Sequence, residues 1–396
     1  MAILPETEFY AWHFMPYAAL PEDIEDRDSL WVDLPNTLFD PEVGHSFYTR
    51  YLSELVLAEK LGFDGLCVNE HHGTAYSLMP VPSLIAAALI PQTTRAKICV
   101  MGTPPAIEQP HRLAETYAML DVMSGGRLEI AMPLGTPMEY WLNPVNPVTA
   151  RERQAEAIDI MLKAWSKDSP HRYEGRFFNY RYLNVWPRPY QQPHPKIYFV
   201  GSGSPETIEL AAKYGFGYSS TFSPIATQLA AQQRLRELSA EYGHTVRPDQ
   251  VPMTVQVMVA DTDEEAERDM EPHARFFFDV LLRAGRFSDV PGYLSIDQFR
   301  KRNGHVLPPS HGKFDWDSVR TTHRIVAGSP KTVADAVEKW AQDAQTTRVI
   351  FQIHLGDMPH WKVVRTLTYL AEKVIPELRA RRDGSAVSAP KAALAS

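Results

Sequence analysis

Cysteine is scarce in this chain. Its 396 residues include two, Cys67 and Cys99, both inside apolar strand-like runs, with no CxxC pair to suggest a disulfide framework. That excludes a small disulfide-stapled fold and fits a reducing compartment, so a cytoplasmic location is expected. Long hydrophobic runs are missing too. Nothing approaches the roughly 18 apolar residues of a membrane span, and the start, MAILPETEFY, has no basic segment ahead of an apolar core. Neither export nor membrane association is expected. Positive charge is in short supply, with 40 Lys and Arg against 48 Asp and Glu and a net charge of -8. That balance argues against nucleic acid or anionic membrane as partners and favours small molecules. No GxGxxG unit is present to bind a nicotinamide cofactor.

What is there is ordinary in bulk and specific in pattern. Hydrophobic residues make up 44% and charged residues 22%, and 396 residues can bury a large core. Strand-like runs alternate with helical ones: the pattern predicts strands at 9–15, 66–68, 98–101, 128–132, 196–200, 217–222, 253–259 and 349–354. Eight strands alternating with helices, without a change of composition midway, predict one (β/α)8 TIM barrel over residues 1–382. Residues 283–320 are irregular. They are read as a lid over the site, inserted before the last strand, because Phe287, Tyr293, Phe299, Phe314 and Trp316 give them something to bury. Residues 383–396, DGSAVSAPKAALAS, read as a disordered tail. The loop of about thirty residues after the first strand exceeds the usual connector and carries Trp31, Leu34 and Phe39 for packing.

In such barrels chemistry gathers where the strands end. The richest window is DGLCVNEHHG, 64–73, where Asn69, Glu70, His71 and His72 follow a short buried strand. A carboxylate beside an imidazole can hold its tautomer and raise its basicity, which makes Glu70 and His71 the candidate acid–base pair. The Glu-His-His run lacks a third ligand at recognisable spacing, so no metal is expected. Other strand ends deliver His13, Phe222 and His354, which with His72 are candidates for a substrate pocket. Thr103-Pro104-Pro105 reads either as a rigid turn or as a flat platform for a planar ring, and one of its X-Pro bonds can be cis at low cost. In GSGSPET, 201–207, Gly203 and Ser204 precede Pro205 at the first helical position and Thr207 in the first turn. That is a capped helix whose free amides can also attract an anion.

Taken in order, HFMPY, GFDGLCVNEHH, SLIAAALIP, VMGTPPA, QPHRLAE, MLDVMSGGR, WPRPYQQPHPKIYFVGSGSPETIELAA, VAGSPKTVADAV and EKVIPELR resemble the luciferase-like flavin monooxygenases, the family of the bacterial luciferase α subunit. The resemblance implies a barrel that binds reduced FMN, supplied by a separate NAD(P)H:flavin reductase, and uses O2 to form a flavin hydroperoxide that oxygenates a small, largely apolar molecule. By position, His71 matches the family's active-site histidine, Pro104–Pro105 the cis peptide against the flavin, and Ser204 with Thr207 the phosphate turn. A homodimer is also implied. One departure stands out. Relatives often present an arginine to the phosphate where this chain has Leu134, so Arg151 or Arg153 must substitute or flavin binds weakly. A deazaflavin-dependent hydride-transfer enzyme and a non-catalytic flavin-binding subunit are the alternatives; the substrate itself is open.

Overall fold

A computed structural model describes residues 3–4, 6–221, 223–294, 296, 300, 314–322 and 325–382. Nine strands form one parallel sheet: β1 (Glu8–Trp12), β2 (Gly65–Val68), β3 (Lys97–Met101), β4 (Leu128–Pro133), β7 (Lys196–Gly201), β8 (Gly217–Ser220), β9 (Met253–Val259), β10 (Ile325–Gly328) and β11 (Arg348–Gln352). Their order is β10-β9-β11-β1-β2-β3-β4-β7-β8. The strands are buried on both faces, as parallel strands under helices must be. A separate antiparallel hairpin, β5 (His171–Glu174) with β6 (Asn179–Leu183), fills the aromatic excursion before β7. The sheet curls until its far strands meet through side chains: the Thr254 hydroxyl of β9 donates to the Ser220 carbonyl of β8 at 2.8 Å.

The eight expected strands are present, with ends shifted by a few residues, and β10 is a ninth. Strand β9 is long enough to serve two neighbours. Met253–Gln256 pairs with β11, and Gln256–Val259 pairs with Ile325–Gly328. The irregular segment therefore enters before β10, not before the last strand as expected, because the upper half of β9 would otherwise lack a partner. Of that segment, residues 295, 297–299 and 301–313 lie outside the described residues, as does the tail at 383–396.

Local chemistry sets the surrounding helices. Pro41–Lys60 starts at Asp40, whose carboxylate accepts from the Glu42 and Val43 amides at 2.8 and 3.3 Å, and it buries Tyr51, Glu54, Leu55 and Ala58 at helical spacing. Pro205–Tyr214 stops at Gly215, which is left-handed at φ 66°. At the N-terminal end of the sheet a charged cluster plugs the interior. Arg348, 1% exposed, bonds Glu129 at 2.7 Å, also contacts Glu8 and the Tyr198 hydroxyl, and lies 4.5 Å over the Tyr10 ring. Gly65 is required there, since a Cβ would sit 2.1 Å from the Tyr10 ring.

Candidate functional site

Strand β2 ends at Val68, and residues 69–72 run on from it without regular structure before the chain bends at Gly73. The expected Glu70–His71 pair does not form. His71 Nδ1 lies 3.1 Å from Glu139 Oε1, 68 residues away. Glu70 instead accepts from the Thr103 hydroxyl at 2.6 Å and meets His72 Nε2 at 3.0 Å. Burial pushes the Glu70 carboxyl above its ordinary range against the pull of those two bonds. Burial also opposes charge on His72, but the bond to Glu70 and the charges of Glu70, Glu139 and Glu108 outweigh it and raise the imidazole.

Glu139 is 2% exposed and sits in the short helix Pro137–Leu142 after β4. Its carboxylate also accepts from the Thr136 backbone amide, closing the helix start. In the tautomer that donates Nδ1–H to Glu139, Nε2 of the imidazole is the nitrogen left to accept. Two rings fix the imidazole edge-on, Trp31 at 5.4 Å and Tyr76 at 4.8 Å. Trp31 is itself pinned by donating Nε1–H to the Leu281 carbonyl at 2.8 Å. The long loop after β1 is thus a packed wall of the site.

Pro104 and Pro105 are buried, but the cis peptide expected between them is not there. Among the described residues the non-proline cis bond is Met101–Gly102, and the others precede Pro170, Pro187 and Pro193. The close approach of backbones occurs at Gly102, where a Cβ would lie 1.6 Å from the Ala131 carbonyl oxygen.

Leu134 is buried with Ala106, Tyr140, Ala150 and Val290. It offers no charge, yet a cation stands nearby. Arg151 donates to the Ser204 hydroxyl at 3.3 Å and lies 3.7 Å from Glu206. Arg153 is committed elsewhere, to the Ala106 carbonyl at 2.6 Å and the Phe178 ring. Ser204 is the N-cap residue of Pro205–Tyr214, but its hydroxyl donates to Glu206 at 2.7 Å instead of capping. The Gly203 amide donates to the Tyr218 hydroxyl at 2.8 Å, and Thr207 is buried in the first turn. From the irregular segment, the Tyr293 hydroxyl donates to the Gly135 carbonyl at 2.6 Å. His71, Glu139, Gly135, Leu134, Ala106, Arg151 and Ser204 therefore follow one arc along the ends of β2, β3, β4 and β7.

His13 and His354 do not join that arc. His13 shares a face of β1 with Phe9 and Ala11, and Nε2 bonds Glu54 of the helix Pro41–Lys60 at 2.7 Å. His354 Nε2 accepts from Arg50 at 2.9 Å, and its ring lies 4.8 Å from that of His13. Both are fully buried between sheet and helix. Burial holds both below the ordinary histidine value, His13 against the pull of Glu54 and His354 farther down. Phe222 lies outside the described residues. Sequence reasoning missed Glu139, whose one local signal was the Thr136-Pro-Met-Glu139 spacing of a helix start. It also passed over Asn69, whose carboxamide has no partner at either end.

The family described as luciferase-like monooxygenase matches residues 37–347. An uncharacterized protein of Sinorhizobium fredii is 26% identical over 83% of this chain and 91% of its own. The oxygenase component of flavin-dependent trigonelline monooxygenase from Acinetobacter baylyi is 27% identical, over 48% of this chain and 52% of that protein. The alkanal monooxygenase alpha chain of Photobacterium leiognathi is 24% identical over 55% and 61%. This chain thus spans little more than half of those two named enzymes. Among solved structures, the FMN complex of the oxygenating constituent of 3,6-diketocamphane monooxygenase from Pseudomonas putida aligns with a TM-score of 0.70 at 20% identity, covering 94% of this chain and 99% of that one. An F420-dependent secondary alcohol dehydrogenase aligns at 0.67 and 18%, over 94% and 99%. At these identities the structural matches speak to the fold.

Proposed function

The chain is a monooxygenase of the luciferase-like family, and from that premise we propose that it is the oxygenase component of a two-component system, taking reduced FMN from a separate reductase and oxygenating a small, largely apolar molecule. The arc from His71 to Ser204 carries this reading. It offers an oriented base at one end and an anion-binding turn at the other. The residues present fit the flavin, since the sheet interior holds buried polar atoms without protein partners, the Asn69 carboxamide and Gln256 Oε1. Reduced flavin, when bound, supplies two electrons to O2, so that one oxygen atom reaches the substrate and the other leaves as water.

The chain's own residues do the rest. Ser204, Thr207 and the first-turn amides hold the phosphate, and Arg151 provides the cation missing at Leu134 by exchanging its contact with exposed Glu206 for the phosphate. Gly203 shapes the turn. Thr103, Pro104 and Pro105 form the apolar floor beside Gly102. His71 Nε2 takes or returns a proton at the reacting centre while Glu139 holds Nδ1. Glu70 and His72 brace the wall through Thr103. We place one (β/α)8 barrel over 1–382, with 283–320 as the lid that excludes water, since Tyr293 already anchors to Gly135. Exposed Leu84, Met119 and Met123 on the paired helices Pro82–Leu89 and Pro110–Met123 support a homodimer, and the charge balance and reduced cysteines support a cytoplasmic place.

Anaerobic titration with reduced FMN, oxidised FMN and a deazaflavin tests the cofactor. Preference for reduced FMN, followed by oxygenated product when reductase, NADH and O2 are added to a substrate panel, is the expected result. Tighter binding of the deazaflavin would move the protein to hydride transfer.

A further inference from the structure

Asn69 follows β2 directly and is 2% exposed. Of the four polar side chains from Asn69 to His72 it is the one with no partner among the described residues: neither Oδ1 nor Nδ2 is bonded, whereas Glu70, His71 and His72 all are. A carboxamide accepts at one end and donates at the other, and burying both bare is costly unless a ligand satisfies them.

Its direction follows from the strand. Gly65 faces the Tyr10 ring, and Cys67 is the register partner of Cys99. Tyr10, Cys99 and Met101 line an interior cavity of the sheet whose floor is the Arg348–Glu129 cluster. Asn69 continues the Gly65–Cys67 row, and because Val68 pairs with Val100 it stands level with Met101, beside Gly102. It lies deeper than the rim, where the His71 and His72 side chains keep 17% and 24% of their exposure.

Resting on the flavin reading above, we infer that Asn69 binds a neutral carbonyl–N–H edge of a planar ring, and that this edge is the pyrimidine end of the isoalloxazine, where an N–H stands between two carbonyls. An amide-bearing organic substrate would offer the same chemistry. The depth of Asn69 beneath the rim favours the cofactor.

Asn69→Leu, close in size and unable to hydrogen-bond, separates the cases. The unliganded variant is expected to melt no lower than the wild type, because two unsatisfied groups are gone. Its Kd for FMN is expected to rise about tenfold or more, as the loss of two neutral hydrogen bonds implies. FMN methylated at the pyrimidine N–H should bind the wild type more weakly than FMN does, and should bind Asn69→Leu no differently from FMN. Should the leucine variant fail to fold, Asn69→Asp keeps the shape, cannot donate, and should lose affinity likewise. A folded variant with the wild-type Kd for FMN would overturn the inference, and a raised substrate KM in that variant would hand the carboxamide to the substrate. Failure of the wild-type protein to bind FMN would instead sink the proposed function, and it is read from the wild-type titration alone.

Discussion

The two ends of the sheet solve opposite problems. At the N-terminal end Arg348, Glu129, Glu8, Lys97, Tyr10 and Tyr198 carry charge and hydroxyls in close mutual contact, and apart from Arg348 Nε the polar atoms there have one another. At the C-terminal end several buried polar atoms, on Asn69 and Gln256, have no partner among the described residues. An arrangement satisfied from within holds a fold together. One left unsatisfied is complete only with a ligand. On the reading proposed above, the same strands deliver stability below and recognition above, the division expected of a parallel α/β barrel.

Substitutions should respect that division. The largest effect expected is on turnover: His71→Ala should lower it by about 10²–10⁴-fold, the range for a lost general acid–base, with melting close to the wild type. Comparable loss of stability would erase the contrast. Next, Arg348→Met strips the partner from buried Glu129 and should cost about 3–5 kcal/mol in chemical denaturation, while the FMN affinity of the folded fraction stays put. Arg151→Ala should weaken FMN by about 10- to 150-fold, equivalent to about 1.5–3 kcal/mol for a charged hydrogen bond, and should leave riboflavin, which lacks the phosphate, unaffected. A riboflavin loss as large would remove Arg151 from the phosphate site.

The most gradual effect is a slope with pH. His13 and His354 are held below the ordinary histidine value by burial. As pH falls below about 6.5, the unfolded chain binds protons there that the folded chain refuses, so stability should decline by up to about 1.4 kcal/mol per pH unit for each. His72, raised by Glu70, works in the other direction and partly offsets this. A flat stability profile between pH 6.5 and 5 would show that the two buried imidazoles protonate in place.

Much of this was legible in the sequence, and what was not is instructive. The strands, the polar run at 69–72 and the 201–207 turn are local in sequence, and periodicity finds them. Pairing is not local. Glu139 reaches His71 because β4 lies two strands from β2, and no spacing rule links residues 68 apart. His13 and His354 stand at strand ends like true site residues, but strand alternation and the Glu54–Arg50 pair draw them into the helix layer. Strand β10, four residues after an irregular segment, is too short for a period. Proline chemistry pointed to Pro104–Pro105, whereas the tight approach was signalled by Gly102.

The double duty of Glu139 has a consequence for time as well as for place. One carboxylate both closes the start of the six-residue helix Pro137–Leu142 and fixes the proton on His71 Nδ1. Whenever that helix opens, the imidazole loses its preferred tautomer, so the share of molecules ready to react at any instant cannot exceed the share with the helix closed. Amide exchange along residues 138–142 is therefore a clock for readiness, and anything that clamps this single turn and a half, a bound ring or a seated lid, would also set the proton.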